Sequence, residues 1–188
     1  MIEVVDTEAA RRALAAGRLR CPECAGTLRP WGRTRERTVV DHHGTRTVRP
    51  DRARCQTCGR THTVLPAELL AGRSYTLGVI GPALAAGGLG VGHRRIAARL
   101  RVPAGTVRSW LRRARDNAAA LYRLGVDTVV AIDQDRLPRT PRPTLLGDAL
   151  EALAAAMAAA ADRFALSNQN LWASLNALTR GRLLAPSP

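Results

Sequence analysis

Two Cys-x-x-Cys pairs, Cys21-Pro22-Glu23-Cys24 and Cys55-Gln56-Thr57-Cys58, stand 30 residues apart in a chain of 188. Each pair places two sulfurs on one tight turn, and two such turns supply four thiolates for a tetrahedral zinc site with Zn–S distances of about 2.3 Å. Gly59 frees the backbone where it turns back toward the metal. A redox-active pair normally stands alone beside a βαβ pattern, which is missing here. With every coordination position filled by Cys21, Cys24, Cys55 and Cys58, none remains for water, so the expected Zn2+ is structural. His62, four residues past Cys58, could take the place of one cysteine, whereas His42 and His43 have the setting of a turn.

The second set of chemistry-bearing residues is cationic. All 29 basic side chains are arginine, against 15 acids, and the formal net charge is +14. Such an excess points to a polyanionic partner, nucleic acid first, although a GC-rich genome also favours arginine and alanine codons. Position separates the two explanations: residues 76–125 carry nine arginines against one acid, and residues 126–188 carry six of each. Residues 93–115 hold eight arginines and no acid, a density that repels itself unless an anion offsets it.

Those arginines fall on an apolar pattern with a geometric meaning. Ile96, Ala97 and Leu100 form one face of a short helix, Val102 fills a corner, and Val107, Trp110 and Leu111 form the facing stripe of a second helix that begins near Pro103. The exposed start of that second helix would enter the major groove of double-stranded DNA, presenting Ala104, Thr106, Arg108, Ser109 and Arg112. Arg108 and Arg112 suit guanine edges; Arg94, Arg95, Arg99, Arg113 and Arg115 suit phosphates. The turn carries Arg101 where glycine is usual, and a non-glycine left-handed residue costs on the order of 1 kcal/mol.

Other chemistry finds little support. Asp127, Asp133 and Asp135 could open a ribonuclease-H-type carboxylate set, but only 53 residues follow Asp135, mostly Pro-rich linker and Ala-rich helix. They read as solvated loop acids, no catalytic residue is nominated, and an enzyme is not expected. There is no Gly-rich phosphate loop and no run approaching the roughly 18 apolar residues of a membrane span. The amino terminus lacks a secretory pattern, so a cytoplasmic, nucleoid-associated protein is expected.

The elements that must position these residues follow from pattern. Thr7 to Gly17 reads as a helix with Thr7 as N-cap. Alternating Thr, Val and Arg around Asp41-His42-His43-Gly44 reads as a hairpin in a small antiparallel sheet. Leu77 to Ala86, weakened by Pro82, would support the helix pair, with Gly125 as its stop. The fold class is therefore α+β: residues 1–18 an N-terminal helix, 19–66 a four-cysteine zinc ribbon, 73–125 a trihelical helix-turn-helix, 126–143 a Pro-rich linker, and 144–188 a helical tail. Leu171, Leu175 and Leu178 have helical spacing, and homodimerisation through the C-terminal helices would suit paired half-sites.

The helix-turn-helix pattern, matching at Ala97, Val102, Val107 and Trp110, resembles that of many bacterial regulators and of the N-terminal DNA-binding regions of insertion-sequence transposases. Taken with Cys21-Pro22-x-Cys24, Trp31-Gly32, Arg54-Cys55-x-x-Cys58-Gly59-Arg60-Thr61-His62, Gly92-His93-Arg94-Arg95-Ile96-Ala97 and Leu171-Trp172, the chain resembles a family of uncharacterised zinc-ribbon plus helix-turn-helix proteins of high-GC bacteria, often found near mobile elements. The resemblance implies DNA binding, as a transcriptional regulator or a mobile-element accessory factor, and leaves the biology open. A partial transposase retaining only its DNA-binding region and an RNA-binding ribbon are the alternatives.

Overall fold

The computed structural model describes residues 1–165 and 170–185 and divides the chain into two compact units, Met1–Thr76 and Leu77–Pro188. The α+β expectation holds at this level, with strands in the first unit and helices dominating the second.

In the first unit, β1 (Ile2–Val4) leads into α1 (Thr7–Ala15), and β2 (Leu28–Arg33), β3 (Arg37–Asp41), β4 (Gly44–Val48), β5 (Asp51–Cys55) and β6 (Thr61–Pro66) follow. Four strands form a sheet in the order β1-β6-β5-β2, antiparallel except for the parallel pair β1–β6, where Ile2 lies opposite Val64. The expected hairpin is present: β3 and β4 pair with Asp41 opposite Gly44, leaving His42 and His43 exposed at the turn. Residues 1–18 are not a separate helical segment, because β1 belongs to the sheet and Ala10 and Leu14 of α1 pack on Leu28, Ala53 and Val64. The N-cap of α1 is Asp6, which accepts from Ala9 N at 2.9 Å, and not Thr7. An ionised carboxylate beside the positive helix start outperforms a hydroxyl one residue later.

The second unit consists of α2 (Leu77–Gly88), α3 (His93–Leu100), α4 (Ala104–Ile132), α5 (Leu145–Phe164) and α6 (Leu171–Leu178), with short 3-10 turns at Gln134–Arg136 and Arg182–Leu184. Pro82 sits inside α2 without ending it. Where α2 passes α6, a β-carbon on Gly81 would fall 2.3 Å from the Trp172 indole, so the glycine that weakens the helix is what admits the ring.

The largest departure from expectation lies in α4, a helix of 29 residues that does not stop at Gly125 but continues to Ile132. Gly125 is buried against α5, and a β-carbon there would lie 2.7 Å from the carbonyl carbon of Ala152. The glycine is a close-packing residue, not a terminator. Consequently residues 126–132 are helix, not linker, and the Pro-rich connector shrinks to the segment after the 3-10 turn. Residues 144–165 form no separate tail, since Leu146, Ala149, Ala152, Leu153, Ala156 and Ala159 of α5 are buried in the same unit as Ala118, Leu121 and Val129 of α4. Gly125 meets Ala152, and Arg136 pairs with Asp162, so α4 and α5 run in the same sense. Thr144 caps α5, its hydroxyl accepting from Gly147 N at 3.0 Å.

Candidate metal centre and basic helical surface

The two cysteine turns are built alike. Cys21 C=O accepts from Ala25 N at 2.9 Å and Cys21 N donates to Gly26 O at 2.8 Å; Cys55 C=O accepts from Gly59 N at 3.1 Å and Cys55 N donates to Arg60 O at 2.9 Å. In both, the residue after the second cysteine is left-handed, Gly59 at φ +71° and Ala25 at φ +57°. Sequence reading anticipated the strain relief at Gly59 and missed its counterpart at Ala25, because alanine gives no sign of a positive φ.

These turns bring the sulfurs of Cys21, Cys24, Cys55 and Cys58 within 4.8 Å of one another. Cys21 and Cys58 Sγ are 3.8 Å apart, and Cys24 and Cys55 Sγ 3.5 Å. A tetrahedron with metal–sulfur bonds of about 2.3 Å has edges of about 3.8 Å, so the donor set matches a metal ion in number, spacing and chemistry. Four thiols this close cannot all ionise without a cation to offset them. Cys55 is held down to about 6, chiefly by the Cys58 backbone N–H. Against the opposing pull of the Gly26 backbone N–H, hydrogen bonds with the Cys58 and Cys55 sulfurs push Cys24 up to about 12.

His62 is buried on β6, its Nε2 3.3 Å from Cys21 Sγ. Burial lowers its pKa, keeping the ring neutral, so the tautomer protonated on Nε2 can donate to that sulfur. The close ligand cluster comprises the four cysteines, with His62 against its edge.

In the second unit the apolar pattern becomes a packed corner. Ile96, Ala97, Val102, Val107, Trp110 and Leu111 are all buried, Trp110 with 2% of its surface exposed. Arg101 occupies the left-handed region at φ 53°, ψ 41°, and Val102 N closes the end of α3 by donating to Ala97 O at 3.1 Å. The chain thus accepts the strain that glycine would avoid. Pro103 stands just before α4 as its N-cap and not within its first turn.

Packing of that corner leaves Arg94, Arg95, Arg99, Ala104, Arg108 and Arg112 exposed and Thr106 and Ser109 half-buried. Arg113 departs from the expected solvent-facing role: it is half-buried, with its Nε enclosed and without a hydrogen-bond partner. Among the described residues, no ion pair involves any of the eight arginines between 93 and 115. Asp127 lies exposed on α4, while Asp133 caps the following 3-10 turn and pairs with Arg136 at 3.1 Å. Among the described residues these acids join no cluster of potential metal ligands, and no helix is long and apolar enough to cross a membrane.

Neither a curated protein nor a solved structure matches the chain. One family model does, described as a domain of unknown function (DUF6431), over residues 11–110. The match runs from α1 through all four cysteines and α3 to Trp110 on α4. Because it spans more than half of the sequence, the chain belongs to the DUF6431 family.

Proposed function

We propose that this protein is a sequence-specific double-stranded DNA-binding protein, a transcriptional regulator or mobile-element accessory factor, whose first unit is a ribbon held by a structural Zn2+. The observation that carries the reading is the run of eight arginines without an acidic partner on α3 and the first half of α4, set on a corner buried by Ile96, Val107 and Trp110. In this reading α3 and α4 are a helix-turn-helix. The start of α4 enters the major groove, Arg108 and Arg112 contact guanine edges, and Ala104, Thr106 and Ser109 border the bases. Arg94, Arg95 and Arg99 contact phosphates, with Arg113 at the margin.

Zinc suits the four-sulfur set because thiolates are soft donors and a closed tetrahedron leaves no place for substrate. It supplies folding free energy and takes no part in chemistry. Self-association to span two half-sites would use the residues that α5 and α6 leave exposed, Leu145, Phe164 and Leu171.

Selection of bound sequences from random duplex DNA with the full zinc-loaded chain tests the reading. A recurring motif is expected, with affinity falling steeply as salt rises. Recovery of unenriched sequence at every salt concentration would reduce the surface to a non-specific polycation.

A further inference from the structure

A second constellation, on the exposed side of β2 and β5, takes no part in the duplex contacts proposed for α3 and α4. Trp31 is half-exposed, at 50%. It is set there by a bulge: Pro30 pairs with Ala53 and Arg33 with Asp51, so Trp31 and Gly32 together face one residue of β5, with Gly32 at φ +81°. Bulges of this kind re-aim a side chain out of the ladder. Arg54 lies over the indole, its guanidinium carbon 4.7 Å from the ring centroid, inside cation–π range.

Arg54 also stands directly opposite Arg29 across the β2–β5 ladder. Like charges in that register destabilise a sheet, and among the described residues no acid pairs with either. Arg29 Nε donates to Gln56 Oε1 at 3.4 Å and Arg54 Nε to Gly59 O at 3.3 Å, both neutral acceptors. Arg29, Pro30, Trp31, Arg54, Gln56 and Gly59 line, together with Cys55, an open cleft of about 420 Å3 with no acid in its lining. The site thus offers a flat π surface beside two uncompensated cations. That combination fits a flat aromatic ring attached to anions.

We propose that Trp31, Arg29 and Arg54 form a stacking platform for an unpaired nucleobase and its flanking phosphates, a single-strand site in the first unit separate from the duplex surface of α3 and α4. The base stacks on the Trp31 indole face opposite Arg54, the Arg29 and Arg54 guanidinium groups contact the flanking phosphates, and the Cys55 turn fixes the geometry of Arg54 and Gln56. A base pair inside a duplex cannot present its face to the ring, so the site selects unpaired strands.

The test is fluorescence anisotropy of labelled oligo-dT and oligo-rU with the full zinc-loaded chain, beside a duplex of equal length. Trp31→Ala is expected to weaken single-strand binding roughly 5- to 150-fold, the loss for one base–aromatic stack, while duplex affinity stays within about twofold. Trp31→Phe, which keeps a ring, retains most of the affinity. A ratio favouring rU or dT identifies the strand chemistry, and either supports the site. Equal weakening of duplex and single strand, or none of either, overturns it. Zinc stoichiometry verifies folding of each variant. Trp31 is the most exposed of the three tryptophans, so quenching of wild-type emission by the oligonucleotide gives a readout independent of any variant, and unchanged emission at saturation also overturns the proposal. Arg108→Ala leaves the single-strand arm unaffected, which separates failure here from failure of the duplex reading.

Discussion

The two units hold themselves together by different means. In the first, buried apolar side chains form two small clusters, one around Leu14, Leu28 and Val64 and one around Val39, Leu65 and Leu69, and the larger includes Cys21 and Cys55 themselves. In the second, Leu77, Ile80, Leu84, Trp110, Leu111, Leu121, Leu146, Leu153 and Leu175 are buried along interlocking helices. Four arginines of the first unit have acidic partners, although Arg29 and Arg54 do not. Arg11 and Arg33 converge on Asp51 at 2.6 and 3.2 Å, Arg60 reaches Glu23 at 3.2 Å, and Arg46 pairs with Glu68. On α3 and the first half of α4 no arginine has such a partner among the described residues. The number of arginines in a stretch therefore says less than whether each has an acid, since a cluster without acids is the part that calls for an outside anion.

Removing the proposed metal from the four-cysteine cluster should break the comparison most sharply. A thiol-competitive chelator at neutral pH is expected to abolish amide protection in β2, β5 and β6, because zinc binding to small four-ligand modules supplies about 10–16 kcal/mol of apparent free energy. Helices of the second unit should keep their far-ultraviolet signal. Simultaneous loss of both would show that the helical unit does not stand on its own core.

A smaller effect with a telling sign is expected at Gly125. Alanine in a helix interior gains about 1 kcal/mol over glycine, but here the new β-carbon meets the Ala152 backbone at 2.7 Å, and overpacking costs about 1–3 kcal/mol. Gly125→Ala should therefore lower the thermal midpoint of the helical unit while the metal-binding stoichiometry of the cysteine cluster is unchanged. A raised midpoint would mean that α4 and α5 are less closely packed.

Three further changes are slighter. Arg101→Gly and Ala25→Gly each remove a left-handed non-glycine residue, one in each unit, and each should add up to about 1 kcal/mol in chemical denaturation. The second gain should vanish once the metal is removed. Arg142 donates to Glu151 at 2.6 Å and lowers the carboxyl pKa by that hydrogen bond. The resulting stabilisation is fully present above the ordinary glutamate value and is lost as pH falls through the lowered one. Glu151→Gln should therefore lower stability slightly at neutral and alkaline pH and flatten that acid limb of a stability titration.

What could be read from the sequence was local. The cysteine turns, the Asp41–Gly44 hairpin and the apolar spacing from Ile96 to Leu111 each span a few residues, and each is where it was expected. What escaped depended on distant chain. β1 is three residues long and exists because β6 offers it a parallel edge. Gly125 looks like a helix stop until α5 is placed beside it, and the enclosure of Arg113 cannot be seen from its charged neighbours. At Trp31 the aromatic was visible, but the bulge that turns it outward depends on its register with β5.

The proposed docking of α4 stands or falls on setting Arg108→Ala beside Arg95→Ala, on a panel of duplexes carrying every single-base change in the selected site. Loss of Arg108 is predicted to relax preference at one position by about 1–3 kcal/mol, while loss of Arg95 weakens all duplexes alike and reduces the salt slope by about one. Identical profiles for the two variants would contradict it.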